Sequence, residues 1–201
     1  MNLPNKITLT RIFMIPVFVA VFFLDGILPY NYIIAAAVFA LAACTDFIDG
    51  YIARKYKLVT NLGKFLDPIA DKVLVSTAML VLLTLQVNLF GIFGDLSNSL
   101  YIAMAVCICV IMARELIISA FRQIAATSGV VMAADMLGKY KTTFQDVSLV
   151  VLMVAVDLTG KTQLILAWVG LALFAIATIL TVWSGISYVV KNKQVLKDTK
   201  A

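Results

Sequence analysis

The chain has 201 residues, 63% of them hydrophobic and 13% charged, with a formal net charge of +5 and a mean hydropathy of +1.02. Soluble domains average roughly 45–50% apolar and about 25% charged residues, so this is the composition of an integral membrane protein, and the length suits one helical domain over 1–201. The absence of histidine excludes Ser-His-Asp hydrolysis, histidine-based zinc sites and phosphohistidine chemistry.

Six stretches are apolar enough to cross a bilayer, at about 12–24, 32–44, 69–89, 100–120, 144–156 and 164–190. Residues 1–11 form a more polar lead-in. Leu3, Ile7 and Ile12 fall near one side of it, while Asn5, Thr8 and Arg11 recur at i, i+3, i+6 on another, the pattern of an interfacial helix. FFLDGILPY, at the end of the first apolar stretch, carries no Ala-x-Ala-like cleavage site, so the N-terminal segment is read as a retained helix. The expected fold class is therefore all-α, a six-transmembrane-helix bundle with a short N-terminal interfacial helix and a tail over 191–201. Cys44, Cys107 and Cys109 lie in apolar stretches without a Cys-x-x-Cys pair and read as small hydrophobes.

Charge then orients the bundle. The loops at 25–31, 86–99 and 157–163 hold one basic residue, Lys161, and the other fifteen of the sixteen Lys and Arg lie on the opposite side. By the positive-inside rule both termini are cytoplasmic, in a multi-pass protein of the cell membrane. The basic pI of about 9.1 reflects this topology and attraction to anionic lipid rather than nucleic-acid binding.

Four aspartates fall at one cytoplasmic corner, Asp46 and Asp49 at the end of the second stretch and Asp67 and Asp71 at the start of the third. The i, i+3 and i, i+4 spacings put each pair on one helix face, and antiparallel neighbours would bring the pairs together. Four converging carboxylates cannot all stay ionised without cations, and an all-oxygen set suits Mg²⁺, Mn²⁺ or Ca²⁺. Two such ions side by side are a common device for phosphoryl displacement. Gly50 and Ala53 keep bulk away from the carboxylates, and Arg54 can reach a phosphate oxygen. Gly63 serves as a helix entry, and Pro68 suits a first helical turn. A helix dipole would favour Asp67 by itself, but it disfavours Asp46 and Asp49 near a C-terminus.

The spacing Asp46-x-x-Asp49-Gly50-x-x-Ala53-Arg54, eight residues, Gly63-x-x-x-Asp67-x-x-x-Asp71 resembles the complete signature of the CDP-alcohol phosphotransferases, with no departure. The resemblance implies transfer of a substituted phosphate from a CDP-linked donor to an alcohol, with release of CMP. It further implies that Asp46, Asp49, Asp67 and Asp71 hold two divalent ions, Mg²⁺ or Mn²⁺, and that Asp71 is the general base. Gly50, Ala53, Arg54 and Gly63 would line the CDP site, with Asn5 and Thr8, beside Arg11, near the donor headgroup. Relatives of this family form dimers, so a homodimer is expected.

A second cluster concerns the alcohol. Arg114, Glu115 and Arg122 lie near the cytoplasmic end of the fourth stretch, and Lys139, Lys141, Thr142 and Gln145 at the start of the fifth. Each cation alone reads as a snorkelling side chain, but Arg114 sits inside an apolar stretch beside Glu115, as an ion pair or an anion site would. Together Arg114, Arg122, Lys139 and Lys141 suggest a pocket for a phosphorylated acceptor. With the opening NLPNKITLTRIFMIPVF, the RE pair and GKYKT, the chain resembles the branch of the family that makes phosphatidylglycerophosphate from CDP-diacylglycerol and sn-glycerol 3-phosphate. Inositol phosphate would need a similar pocket, whereas serine would not. A cation transporter would place its acids near the bilayer midplane on broken helices, which this pattern does not do.

Overall fold

The computed structural model describes residues 3–55, 61–127 and 136–191, and among them all regular structure is helical. Six helices follow in order: α1 (Leu3–Phe22), α2 (Asn31–Lys55), α3 (Asn61–Leu83), α4 (Ser97–Thr127), α5 (Met136–Val156) and α6 (Gly160–Lys191). They run from 20 to 32 residues. At 1.5 Å per residue that is about 30–48 Å, enough for a hydrocarbon core of about 30 Å. Two segments, Gln86–Gln123 and Gly160–Lys191, are long and apolar enough to cross a membrane, and Ile7–Phe22 and Asn31–Thr45 are shorter apolar runs.

The outside of the bundle is as greasy as its inside. Phe13, Leu41, Leu116, Ile165, Ile179 and Trp183 are all more than half exposed. So large an apolar exterior is stable against lipid and not against water. Lipid gives helices no hydrophobic reason to associate, so close packing has to do it, and small residues at the contacts allow that. In α6 the buried positions are Ala167, Gly170, Phe174, Ala177, Thr181, Ser184, Gly185 and Tyr188, a largely three- and four-residue repeat of small side chains. At Gly170 a Cβ would lie 2.6 Å from Leu152 Cδ2 and 2.7 Å from Leu152 Cγ, so α5 and α6 touch almost backbone to side chain. On the other flank Phe18 with Phe39 and Phe22 with Tyr32 interlock α1 with α2 at centroid distances of 5.9 and 5.2 Å.

Polar caps close the end away from the basic residues. Asn31 Nδ2 donates to the Phe22 carbonyl at 2.8 Å, and the Ile33 amide donates to Asp157 Oδ2 at 2.7 Å, joining the start of α2 to the end of α5. The tight turn between α1 and α2 uses positive φ at Gly26 and Tyr30.

Three expectations change. The N-terminal lead-in is not a separate helix. It is continuous with the first apolar stretch in α1, because nothing between Leu3 and Arg11 breaks a helix and Pro4 falls in its first turn. Its polar face turns inward, with Thr8 and Arg11 buried. The third helix ends at Leu83, where Thr84 Oγ1 donates to the Val81 carbonyl at 2.6 Å and the chain enters a π turn and a 3₁₀ turn kinked at Gly94. It also starts at Asn61, so Pro68 lies inside α3 rather than in its first turn, the ordinary helix formers Leu62, Lys64 and Leu66 having started the helix earlier.

Gly170→Val should lower thermal stability in detergent by about 1–3 kcal/mol, because the added methyl groups have no room against Leu152. An unchanged melting temperature would mean that α5 and α6 are not packed this closely.

Candidate active site

The signature residues lie on two neighbouring helices. Asp46, Asp49, Gly50, Ala53 and Arg54 belong to the last turns of α2, and Gly63, Asp67 and Asp71 to the first turns of α3. Asp49 is six residues before the end of α2 at Lys55, and Asp67 is six after the start of α3 at Asn61. The side chains of Asp46, Asp49, Arg54 and Asp67 lie outside the described residues, as do those of Asn5, Ala53 and Lys139, and Gly50 and Gly63 are described only as members of their helices.

Around this corner the described side chains are specific. Arg11, fully buried, crosses from α1, and its Nε approaches Thr45 Oγ1 at 3.4 Å; the Thr45 hydroxyl donates to the Ala42 carbonyl at 2.6 Å. A guanidinium is thereby anchored one residue before Asp46. Thr8 is buried one turn earlier on the same helix. Beside Cys44 an apolar groove of about 420 Å³ opens between α2 and α5, lined by Phe39, Ala40 and Val147 with Asp146 and Thr143 at its polar end.

Asp71 faces a small cleft of about 40 Å³ among α3, α4 and α5. Lys72, Ser76, Glu115, Thr142 and Gln145 share its wall, over a floor that includes Met79 and Met112. Helical spacing brings them there: Asp71, Val75 and Met79 are i, i+4, i+8, Met112 and Glu115 are i, i+3, and so are Thr142 and Gln145. Gln145 Nε2 reaches Met79 Sδ at 3.5 Å, and Thr142 Oγ1 donates to the Gly138 carbonyl at 2.7 Å.

Glu115 is the centre of the charges. Its Oε1 accepts from Arg114 Nη1 at 3.0 Å and from the Lys141 ammonium. Arg114 Nη2 donates to Ser184 Oγ on α6 at 2.9 Å. Lys72 donates to Ser119 Oγ, and that hydroxyl donates to the Glu115 carbonyl at 2.6 Å. Lys72, Arg114 and Lys141 thus gather around Glu115 beside Asp71, so cations as well as acids stand at this cleft.

The four cations expected for an acceptor are therefore not all alike. Lys141 is joined to the cleft through Glu115, and Arg114 stands behind it against α6. Arg122 stacks 5.7 Å above the Tyr188 ring, and Phe121 meets the same tyrosine edge-on at 6.1 Å. Lys72 and Ser119 were not singled out from sequence. Lys72 directly follows Asp71, and Ser119 is one turn on from Glu115, which is the signal that could have found them.

A family model described as CDP-alcohol phosphatidyltransferase matches residues 1–183. A protein of Bacillus subtilis strain 168 is 37% identical over 211 residues, covering 98% of both chains, and is named CDP-diacylglycerol--glycerol-3-phosphate 3-phosphatidyltransferase. Proteins of Escherichia coli K12 and Shigella flexneri with that name are each 37% identical over 199 residues, again covering 98% of both chains.

Ser184→Ala removes the α6 acceptor of Arg114 and should cost about 1 kcal/mol of stability, the usual worth of a hydrogen bond between membrane helices. Ser184→Thr, which keeps a hydroxyl, should cost less in the same detergent melt. Equal losses would show that the hydroxyl is not what holds Arg114.

Proposed function

The chain belongs to the CDP-alcohol phosphatidyltransferase family, and we propose from that premise that it transfers the phosphatidyl group of CDP-diacylglycerol to sn-glycerol 3-phosphate, giving phosphatidylglycerophosphate and CMP. The observation that carries the reading is that Asp71, last aspartate of the signature, shares one cleft with Lys72 and with Glu115, to which Lys141 is paired. The attacking hydroxyl and the phosphate of such an acceptor need a base and positive charge within a few ångströms of each other.

The reaction follows from those roles. The acceptor hydroxyl oxygen attacks the phosphorus that carries diacylglycerol, the bond from that phosphorus to the bridging oxygen breaks, and the electron pair leaves with CMP. Asp71 takes the hydroxyl proton. Lys141, with Lys72, Arg114, Arg122 and Lys139 around the same end of the bundle, holds the acceptor phosphate. Arg54, Gly50, Ala53 and Gly63 receive the CDP moiety, with Asn5, Thr8 and Arg11 on the α1 side of the headgroup. The groove between α2 and α5 suits a donor acyl chain, since it is apolar, opens on the exterior and ends two residues from Asp46.

A set of four carboxylates suits divalent ions. Asp49 and Asp67 each stand six residues from the facing ends of α2 and α3, with Asp46 and Asp71 about one turn further in, and hard oxygen ligands favour Mg²⁺ or Mn²⁺. Two such ions bound by Asp46, Asp49, Asp67 and Asp71 would neutralise the charge that develops on the pyrophosphate.

The six helices are read as six spans with both termini and the site on the cytoplasmic side of the cell membrane. An even helix number and the gathering of Lys72, Arg114, Arg122, Lys141 and Lys191 opposite Lys161 support this. A homodimer is proposed on the resemblance, and light scattering of the detergent-solubilised protein reads it.

CMP release should be assayed with purified protein, CDP-diacylglycerol and Mg²⁺, one alcohol at a time. Glycerol 3-phosphate should support turnover, chelation should abolish it, and Mg²⁺ or Mn²⁺ should restore it. Turnover with inositol phosphate alone would keep the family and overturn the acceptor. Asp46→Asn, Asp49→Asn, Asp67→Asn and Asp71→Asn should each lose about 10²–10⁴-fold in kcat while remaining folded. Near-normal turnover in those folded variants would remove the aspartates from the site.

A further inference from the structure

An acid in the wall of a site for an anion needs a reason, since by itself it repels the ligand. Glu115 has one. A single oxygen, Oε1, receives both Arg114 Nη1 and the Lys141 ammonium, and Lys141 is itself buried. An ammonium out of water goes where its counter-charge is, so the carboxylate decides where Lys141 stands. With two cations on one carboxylate, a net positive charge is left over for a ligand.

Glu115 is held in turn. Adjacent residues on a helix point about 100° apart, so Arg114 lies on the α6 side and bends back to its neighbour. Ser184 Oγ fixes Nη2 at 2.9 Å. Gly185 leaves the space that the Arg114 stem occupies: a Cβ there would lie 3.0 Å from Arg114 Cγ and 3.1 Å from Nε. Among the described residues Arg114 Nε has no hydrogen-bond partner although it is buried, so the guanidinium is placed by packing against Gly185 as well as by its two bonds.

We propose that Glu115 is a positioning residue that sets the place of Lys141 for the acceptor phosphate, and that Arg114 and Gly185 form its support from α6. The line Gly185–Arg114–Glu115–Lys141 thus joins α6 through α4 to α5. The inference rests on the reading that Lys141 contacts the acceptor.

The test is steady-state kinetics of Glu115→Gln, Gly185→Ala, Lys141→Met and the two double variants that include Lys141→Met, each varied in glycerol 3-phosphate and in CDP-diacylglycerol. Glu115→Gln should raise the acceptor KM about tenfold, the scale of one charge-assisted contact, with the donor KM and kcat within about twofold. Gly185→Ala should show the same split, about two- to fivefold, because it shifts Arg114 rather than removing a charge. Neither change should add to Lys141→Met, since a residue that acts through another has nothing left to act on. If Glu115→Gln does not fold, Gly185→Ala carries the comparison by itself. Additive losses, or equal rises in both KM values, would overturn the positioning role. If Lys141→Met leaves the acceptor KM unchanged, the acceptor-site reading falls and the inference with it. If Lys141→Met raises it while Glu115→Gln and Gly185→Ala do not, the inference falls alone.

Discussion

A polar group inside an apolar bundle has to find its partner within the bundle, because lipid supplies none. Much of the described structure follows from that constraint. At one end Asn31 takes the carbonyl that ends α1, and Asp157 takes an amide that begins α2. At the other, Lys72, Arg114 and Lys141 all resolve onto Glu115 or onto Ser119, the hydroxyl bonded to its carbonyl. The middle of the bundle is left to side chains such as Leu149, Leu152, Met153, Ala167 and Phe174, which ask for nothing but space. Among the described residues the paired charges are thereby gathered toward one end of the bundle.

The same constraint explains why α6 matters to a site to which it contributes no residue of the signature. Its small side chains let α4 and α5 approach, and one of its hydroxyls and one of its glycines receive the arginine behind the cleft. Packing and electrostatics here are not separate tasks.

Much of this was legible in the sequence, and what was not has physical causes. Long apolar stretches locate the apolar parts of α2, α4, α5 and α6, since nothing else satisfies backbone groups in lipid, while α2 runs eleven residues past its stretch and α5 starts eight before its own, where polar residues carry the helix on. The start of α3 was misjudged because Pro68 reads as a helix opener, while Asn61–Phe65 is polar enough to pass for a loop. The lead-in was misjudged because Thr8 and Arg11 look like a headgroup-facing stripe, and polarity does not say whether such a stripe meets water or a neighbouring helix. The aspartates were recognisable by identity and spacing. The direction of Arg114 was not, because α4 is apolar on every side and offers no period from which to infer a face. Ser184 and Gly185 were silent for a related reason: small residues are common throughout membrane helices, and only a neighbour's position shows which one is needed.

The bond from the Ile33 amide to Asp157 pins the start of α2 to the end of α5 at the face remote from the chemistry. Asp46 lies thirteen residues further along α2, about 20 Å at the helical rise. Two rods fastened at one end move like tongs, so a swing of about 5° at that joint would carry Asp46 by about 2 Å over that length. The groove between α2 and α5 lies along the same length, between that joint and Asp46. A bond at the remote end thus bears on where the last turns of α2 stand, across most of the length of a spanning helix.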